Sequence, residues 1–269
     1  MPEGHVVHAL ARRLGRMFVG QAVRVDSPQG RFWDGAALVD GQVVAKVEAH
    51  GKHLFIGFAN RGWMHVHLGL YGKWRFGDGD PPVPVGQVRA RIVGDGAWAE
   101  LRGPSVCEVL DDLGRRDAIR RIGPDPIRRD ADPGPAWEKA SRSASPIGIL
   151  LMDQAVISGV GNIYRAEVLF RHGISPYRPS REVTREEFDA VWADLVGLMR
   201  DGARRGRIDT VRREHTPRAM GRPPRRDRHG GEVYVYRRTG RPCLACGTPV
   251  ASADLNGRTL YWCPGCQPT

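Results

Sequence analysis

The chain has 269 residues, of which 41% are hydrophobic and 26% are charged, so it can form one large or two ordinary globular domains with their own cores. It contains no apolar run of 18 residues or more and no signal-peptide pattern at its start, which excludes a transmembrane protein and predicts a cytoplasmic one. The formal net charge of +11 favours a polyanionic partner, above all nucleic acid.

The first part of the chain predicts one helix followed by short strands. Apolar residues at helical spacing predict a helix over Gly4–Phe18. Beyond about residue 21, short apolar runs separated by Gly, Pro and Asp predict strands, and several strands at this spacing favour a β-sandwich. The predicted strands are Val43–Glu48, Leu54–Phe58, Trp63–Leu68, Arg89–Val93 and Val106–Leu110.

A linker separates this region from a helical one. Clusters of Pro, Gly and Asp at residues 123–126 and 132–135 are expected to break regular structure twice. Beyond them, apolar residues at helical spacing predict three helices. These are Ile147–Ile157, Ile163–His172 and Thr184–Arg204, the last of which opens with a capping box from Thr184 and Glu187.

A Gly-rich turn joins the first two of these helices. Gly159 and Gly161 allow a tight backbone turn, and Asn162 is a good N-cap for the second helix. Uncovered N–H groups and the helix dipole would make this turn a phosphate site. A plain helical hairpin explains a Gly-rich turn as well, and both interpretations stay open here.

Positive charge is concentrated after the third helix. Residues 201–241 contain thirteen arginines and five acidic residues, and the polar, Pro-rich residues 206–231 predict a long loop. Such a segment suits a phosphate backbone. Because the chain has only four lysines, an arginine-rich composition with a solvated loop explains it too, and the role of the Arg207–Arg228 loop stays open.

Four cysteines near the C-terminus predict a metal site. Two CxxC pairs separated by sixteen residues supply the four thiolates of a closed tetrahedral site for one structural Zn²⁺. Between them, Asn256-Gly257 predicts a type I′ hairpin turn with Arg258 at its tip. The fifth cysteine, Cys107, lies in a predicted strand and is expected to be a buried thiol. The predicted metal ligands are Cys243, Cys246, Cys263 and Cys266.

Four features follow one another along the chain in a specific order. They are MPEG at the start, GKHL at 51–54, DQ at 153–154 with GNIY at 161–164, and the four-cysteine segment with GRT at 257–259. With these features the chain resembles the formamidopyrimidine-DNA glycosylase and endonuclease VIII (Fpg/Nei) family of base-excision repair enzymes. The resemblance implies an α+β multidomain fold. Its expected parts are an N-terminal β-sandwich with an N-terminal helix (1–125), a helix–two-turn–helix domain with the Arg-rich loop (126–232) and a β-hairpin four-cysteine zinc finger (233–269).

The resemblance assigns catalysis first to Pro2 and Glu3. Removal of Met1 would free the secondary amine of Pro2. A model α-amino group has a pKa of about 7.8, against about 10.4 for lysine, so far more of it is an uncharged nucleophile at neutral pH. A helix N-terminus would lower this pKa further, and the iminium formed on the sugar would be an electron sink for elimination. Glu3 is the expected acid and base, although the helix dipole also explains a carboxylate there.

Three more residues take expected roles from the resemblance. Lys52 would contact phosphate and handle protons, with a solvated turn charge as the alternative. Asn162 and Arg258 would clamp the phosphates that flank the lesion, and Arg258 also counts among the catalytic residues; an exposed turn residue is its alternative. His65 and His67 alternate on a predicted strand. Because no third ligand is near in sequence, we interpret these two histidines as structural or DNA-facing.

Leu70 and Tyr71 bear on the substrate. A base must leave the stack before chemistry reaches its sugar, and apolar or aromatic side chains can fill the gap; packing in the sheet core is the alternative for this pair. A Leu-Tyr pair resembles the endonuclease VIII branch, whereas the formamidopyrimidine branch typically has Met there. MPEGH at the start, SPQGRF at 27–32 and HVHLGLYG at 65–72 resemble an endonuclease VIII-like group from high-GC bacteria. Val6 and His5 stand where many members have Glu and Pro, so the lesion preference stays open.

The resemblance therefore predicts a bifunctional DNA glycosylase and AP lyase. It would remove oxidised bases, pyrimidines above purines, from damaged double-stranded DNA through a Schiff base on Pro2, and nick by β,δ-elimination. We expect a monomer with no membrane partner that acts at the bacterial nucleoid. The alternatives are an oxidised-purine glycosylase and a catalytically silent damaged-DNA-binding protein on the same scaffold. A zinc-ribbon transcription factor would need none of the N-terminal residues.

Overall fold

The N-terminal helix forms over the range that its apolar spacing predicts. In the computed structural model, which describes residues 2–60, 62–227 and 231–268, helix α1 spans Gly4–Phe18. Val7, Leu14 and Phe18 are buried along one face. The chain divides into two compact units, residues 1–121 and 122–269, and the boundaries expected at residues 125 and 232 stay predictions.

The first unit is a β-sandwich, as the spacing of short apolar runs predicts. Its strands are β1 (Arg24–Asp26), β2 (Val44–His50), β3 (His53–Phe58), β4 (Gly62–His67), β5 (Lys73–Asp78), β6 (Ala90–Val93), β7 (Ala97–Arg102) and β8 (Val106–Leu110). They form two antiparallel sheets, with orders β2-β3-β4-β8 and β1-β6-β7-β5. Ile56 and Val66 of one sheet share a single apolar core with Ile92 and Leu101 of the other and with Leu14 of α1.

All five predicted strands are present, with ends shifted by two residues at most. Strands β1, β5 and β7 and two helices, α2 (Trp33–Val39) and α3 (Asp112–Arg120), lie outside the prediction. The carboxylate of Glu100 interrupts the apolar alternation of β7, yet it is fully buried because it accepts a hydrogen bond of 2.7 Å from Arg91 and pairs with Arg102. A buried ion pair of this kind conceals a core position from a hydrophobicity pattern.

The second unit has its helices in its first part and a hairpin near its C-terminus. Its elements are α4 (Gly134–Ala140), α5 (Ile147–Leu150), α6 (Asn162–Arg171), α7 (Arg185–Arg205), β9 (Ala251–Asp254) and β10 (Thr259–Trp262). The apolar faces of the helices form one core. Phe170 of α6 joins a smaller core with Val250 and Cys263, so the hairpin packs on α6. Among the described residues, no helix is long and apolar enough to cross a membrane.

The helix predicted over Ile147–Ile157 is wrong beyond its first turn. Helix α5 ends at Leu150, because side chains take over the hydrogen bonds that a helix would make. The amide of Gln154 donates to the carbonyls of Met152 (2.9 Å) and Val160 (3.0 Å) and accepts from the backbone of Gly159 (3.0 Å). The turn into α6 is therefore held by one glutamine.

The two ends of α7 follow the sequence closely. Thr184 is the N-cap, and a complete capping box with Glu187 is present, as predicted. The helix ends at Gly206, whose φ of 74° lies in the left-handed region that favours glycine. The second Pro-Gly cluster does not break structure as predicted, because Pro135 lies in the first turn of α4, where its missing N–H costs nothing.

The Arg-rich loop is anchored at its base. The carboxylate of Glu167, fully buried on α6, accepts from the hydroxyl of Thr210 (2.5 Å) and from the backbone N–H groups of Tyr234 (2.7 Å), Val235 (2.9 Å) and Tyr236 (2.9 Å). Residues 228–230 of the predicted loop lie outside the described residues.

Candidate active site and DNA-binding residues

Pro2 and Glu3 lie at the start of α1. Glu3 is the N-cap residue, with extended backbone angles (φ −105°, ψ 172°), and only 2% of its surface is exposed. Its side chain makes no capping hydrogen bond among the described residues. Pro2 is half-buried and immediately precedes it. The residue that carries the secondary amine therefore lies at the positive end of a fifteen-residue helix; Met1 lies outside the described residues.

Lys52 lies in the tight turn between β2 and β3. Strand pairing brings His50 opposite His53 across this turn, and Gly51 adopts a φ of 57°, which favours glycine. Lys52 is half-buried. Burial, and after it neighbouring positive charges that include Lys52, lower the pKa of both His53 and His67. The ammonium group of Lys52 therefore acts on two histidines of the adjoining strands.

These histidines form a hydrogen-bonded group that the sequence does not reveal. Nδ1 of His53 lies 2.8 Å from Nε2 of His65, and Nδ1 of His65 lies 2.9 Å from a carboxylate oxygen of Glu108. Nδ1 of His67 lies 2.9 Å from the hydroxyl of Ser105. Within the described ranges this group is not a metal cluster. The alternation of His65 and His67 along β4 was the available signal, but both partners of His65 are distant in sequence.

Leu70 and Tyr71 project from the turn after β4. The backbone N–H of Gly72 donates to the carbonyl of Leu68 (2.8 Å) and closes this turn. Leu68 is buried, whereas Leu70 is 55% exposed and Tyr71 is 84% exposed. Both side chains therefore lie outside the sheet core, which was the alternative interpretation.

The prediction that Asn162 is the N-cap of α6 is wrong, because Asn162 is the first residue of the helix itself. Gly161 takes the N-cap position with extended backbone angles (φ −127°, ψ −166°). The side-chain amide of Asn162 instead makes a contact within the second unit. Its Nδ2 donates to the carbonyl oxygen of Thr259 on β10 at 2.9 Å. The side chain is therefore positioned by the hairpin rather than by its own helix.

Arg165 is a site residue that the sequence prediction missed. Its guanidinium, with the residue only 1% exposed, donates to the carbonyls of Gly148 and Thr259, each at 3.2 Å, and to the side-chain oxygen of Asn162. It borders a pocket of about 280 Å³ that also contains Arg258. The signal was an arginine that, together with Glu167, interrupts the apolar residues of α6. The other lining residues are Ile149, Met152, Asp153, Leu255 and Asn256.

The hairpin turn has the predicted form. Asn256 and Gly257 have φ values of 55° and 70°, as a type I′ turn requires at both central positions. Leu255 and Arg258 exchange backbone hydrogen bonds of 3.0 and 3.3 Å across this turn. Arg258 is exposed at the tip. Because Arg258 and Arg165 line the same pocket, they lie on the same side of the second unit.

The four cysteines of the two CxxC pairs can hold one metal ion. Their sulfur atoms all lie within 4.8 Å of one another, with Cys243 and Cys266 at 3.8 Å and Cys246 and Cys263 at 3.5 Å. Metal–sulfur bonds of about 2.3 Å in a tetrahedron place sulfurs about 3.8 Å apart, so the geometry fits. Cys107 lies apart on β8, half-buried against the apolar core, and burial raises the pKa of its thiol to about 12.

Both halves of the chain match known protein families. Residues 1–102 match the formamidopyrimidine-DNA glycosylase N-terminal domain, and residues 122–213 match the formamidopyrimidine-DNA glycosylase H2TH domain. Endonuclease 8 1 of Mycobacterium tuberculosis is 52% identical over 271 residues, which cover 99% of this chain and 100% of that protein. The formamidopyrimidine-DNA glycosylase of Thermus thermophilus is 32% identical over 276 residues, or 99% of this chain and 98% of that protein.

Solved structures show the same architecture. The MutM (Fpg) protein from Thermus thermophilus superposes with a TM-score of 0.76 at 27% identity, covering 99% of this chain and 98% of that one. Lactococcus lactis Fpg in complex with DNA that contains an abasic site superposes with a TM-score of 0.80 at 21% identity, over 99% and 100% of the two chains. This second likeness concerns the fold alone.

Proposed function

The chain belongs to the formamidopyrimidine-DNA glycosylase and endonuclease VIII family of base-excision repair glycosylases and AP lyases, and we propose that Pro2 is its nucleophile. The observation that carries this proposal is the location of Pro2 and the buried Glu3 at the N-terminus of α1. The positive end of the helix disfavours a second positive charge, so it lowers the pKa of the Pro2 amine that is exposed once Met1 is removed.

The proposed reaction begins on the sugar. The nitrogen lone pair of Pro2 forms a bond to C1′ while the glycosidic bond breaks, and the electron pair and the surplus amine proton leave with the base. The C1′–O4′ bond then opens, O4′ takes a proton from Glu3, and the positive charge remains on the iminium of Pro2. Glu3 is suited to this donation because it follows Pro2 directly in the chain and a carboxyl group can both donate and accept a proton.

The iminium then drives strand cleavage. It lowers the cost of removing a proton from C2′, so that the C3′–O bond breaks and the 3′ phosphate leaves in β-elimination. A second elimination, with loss of a proton from C4′, breaks the C5′–O bond. We propose that both steps occur and that the deprotonated Glu3 accepts and returns protons between them.

Phosphate contacts are proposed for each unit separately. In the first unit, Lys52 presents a positive charge from a rigid turn. In the second unit, the side chain of Asn162 is held by Thr259, and Arg258 is exposed at the tip of the hairpin. We propose that these three residues bind phosphates of damaged double-stranded DNA, and that the cysteine cluster holds one structural Zn²⁺. The enzyme would act as a monomer at the nucleoid.

Oxidised pyrimidines are the proposed preference. The exposed Leu70 and Tyr71 suit insertion into the gap that a flipped base leaves. A 52% identical relative is named as an endonuclease 8, which supports the pyrimidine branch over the purine branch. His5 and Val6, in the first turn of α1, are the positions at which this chain departs from the family pattern.

Borohydride trapping tests the nucleophile. The full-length protein is incubated with oligonucleotides that carry an abasic site, an oxidised pyrimidine or an oxidised purine. We expect a covalent adduct on abasic DNA that mass spectrometry of the trapped protein assigns to the nitrogen of Pro2, while Glu3→Gln, which keeps the amine, still traps abasic DNA but releases no intact base. Absence of an adduct with all three lesions would overturn the proposal, and faster trapping on the oxidised purine would assign the other substrate class.

A further inference from the structure

Two segments of the first unit cross side by side between its two sheets. The projecting turn, residues 68–72, leads from β4 of one sheet to β5 of the other, and the short crossing, residues 103–105, leads back from β7 to β8. Because β4 pairs with β8 and β5 pairs with β7, both segments bridge the same gap between the same paired strands. The residues paired at the two ends of the gap are His67 with Val106 and Lys73 with Arg102.

The two segments differ in length. The short crossing bridges the gap with three residues, whereas the projecting turn uses five. The backbone N–H of Gly72 donates to the carbonyl of Leu68 at 2.8 Å, so the ends of the longer segment stay close together and its surplus is pushed outward. The two exposed residues of the projecting turn are accordingly Leu70 and Tyr71.

Ser105 of the short crossing binds the start of the projecting turn. Its backbone N–H donates to the carbonyl oxygen of His67 at 2.9 Å. Its hydroxyl lies within hydrogen-bonding distance of two atoms of His67, the carbonyl oxygen (3.0 Å) and Nδ1 (2.9 Å). Nδ1 is an acceptor, because the backbone N–H of Gly69, which can only donate, binds it at 3.2 Å. Ser105 therefore reaches the first backbone group of the projecting turn through a single side chain.

The backbones of the two segments are also in direct contact. Gly69 has a φ of 62°, and an added Cβ there would lie 3.0 Å from both Cβ and Oγ of Ser105. Gly103 has a φ of 59°, and its added Cβ would lie 3.5 Å from the carbonyl oxygen of Tyr71. Glycine at these two positions lets the short crossing lie close against the projecting turn on both sides of Leu70.

We infer that Ser105 is a positioning residue for Leu70 and Tyr71, because it fixes the projecting turn on the short crossing and so holds the two side chains outward before DNA binds. The inference rests on the proposed role of this pair in filling the gap that a flipped base leaves. A turn that is already ordered loses less entropy when its side chains enter the stack. Loss of the Ser105 hydroxyl should therefore slow eversion of the base more than it slows the chemistry at the sugar.

Amide hydrogen exchange of the full-length protein without DNA gives the first test. Ser105→Ala removes the hydroxyl and keeps the backbone N–H, and we expect the amides of Gly69 and Gly72 to exchange about fivefold faster. Ser105→Thr, which keeps a hydroxyl, should restore the original rates. Ser27→Ala is the matched control, because it removes a hydroxyl that donates to the carbonyl of Arg89 at 2.8 Å in the same unit. Unchanged exchange of both amides in Ser105→Ala would overturn the inference.

A ratio of two rates gives the second test. One is base release from double-stranded DNA that contains thymine glycol, an oxidised pyrimidine, and the other is nicking of a single-stranded abasic oligonucleotide, in which no base has to leave a duplex stack. We expect Ser105→Ala to lower this ratio about fivefold, Ser105→Thr to restore it, and Ser27→Ala to leave it unchanged. In a Leu70→Ala/Tyr71→Ala background, Ser105→Ala should have no further effect on the ratio.

The two levels of proposal fail differently. If the Leu70→Ala/Tyr71→Ala variant keeps the original ratio, the proposed filling of the gap is wrong and the inference fails with it. If that variant lowers the ratio but Ser105→Ala leaves it unchanged, or lowers it equally in both backgrounds, then Ser105 does not act through the projecting turn and only the inference is wrong. The borohydride adduct on Pro2 is independent of all these results.

Discussion

In the first unit, the polar groups beside Lys52 are held by other side chains, whereas in the second unit Asn162 and Arg165 are held by backbone carbonyls. His53 depends on His65 and Glu108 across three strands. Both Asn162 and Arg165 donate to the carbonyl of Thr259, the first residue of β10. A group built from side chains responds to pH and to single substitutions, whereas one built on a backbone carbonyl responds to anything that moves the hairpin.

The β-sandwich and the hairpin region also differ in the size of their apolar cores. The β-sandwich encloses an apolar core supplied by both sheets and α1. The hairpin region has few apolar residues of its own, Val250 and Leu260 among the buried ones, and two of the metal-site cysteines are part of its core. A region with so small a core needs a metal or another cross-link to stay folded.

Metal removal should give the largest difference between the units. Structural Zn²⁺ contributes about 10–16 kcal/mol to the folding of small zinc domains, so a chelator should unfold the β9–β10 hairpin and abolish DNA binding. Amide hydrogen exchange should show that the β-sandwich stays protected. Cys263→Ser should act like the chelator, while Cys107→Ser, at the cysteine outside the cluster, should keep its metal. If DNA binding persisted after verified metal loss, the claim that the hairpin region needs the metal to stay folded would be wrong.

Arg258→Ala should lower DNA affinity without loss of the metal. Removing one phosphate contact reduces the slope of log K against log salt by about 1, and binding should weaken similarly on all sequences. Titrations at several salt concentrations, with metal content measured in parallel, give both quantities. Arg185→Ala is the control, because its half-exposed side chain on α7 pairs with Asp189 and lies outside the arginine-rich segment. Release of the metal from Arg258→Ala would show that this arginine has a structural role.

Acid should destabilise the first unit through His53. Its pKa is about 3 in the folded protein against 6.5 for an ordinary histidine, so unfolding takes up a proton when the pH is between these values. Stability is therefore full above pH 6.5 and falls as the pH drops, by ~1 kcal/mol per pH unit from this one group. The lowered pKa of His67 acts in the same direction.

Hydrogen exchange or urea unfolding of the full chain between pH 7.5 and 5.5 measures this dependence. In His53→Phe, the slope of the free energy of unfolding of the first unit against pH should fall by the contribution of one proton. The amides of α6 and α7 should be unaffected. An identical slope in this variant would mean that His53 binds as many protons in the folded protein as in the unfolded one.

Tyr71→Ala should give the smallest change in stability and a selective change in function. With 84% of Tyr71 exposed, the free energy of unfolding should change by no more than about 0.5 kcal/mol. Base release from double-stranded DNA should slow, because the gap is left unfilled, while nicking of single-stranded abasic DNA should be unchanged. Leu113→Ala, at another exposed apolar residue of the first unit, should affect neither substrate. Equal slowing on both DNA forms would exclude a wedge.

Signals that lie close together in sequence predicted the structure well. The bounds of α1, the capping box of Thr184 and Glu187, and the Asn256-Gly257 turn each depend on contacts within a few residues. The four-cysteine cluster followed from its spacing because two CxxC pairs supply a complete ligand set.

Contacts between distant residues explain what the sequence did not predict. Asn162 was assigned to the N-cap by its type, but its amide binds a carbonyl 97 residues away. His65 was interpreted without Glu108, which lies 43 residues further along the chain and becomes its neighbour only through the pairing of β4 with β8. Strand register and hairpin packing determine these partners, and neither has a local sequence pattern.

The buried carboxylate of Glu167 bears on which insertions and substitutions this protein can tolerate. By binding Thr210 at one end of the Arg-rich loop and the backbone of residues 234–236 at the other, it closes the loop at its base. Doubling the length of a loop whose ends are already fixed costs only about 0.6 kcal/mol. The exposed turn at residues 218–221 can therefore be lengthened or changed in sequence while α6 and the hairpin keep their positions, which makes this turn a tolerant place for insertions.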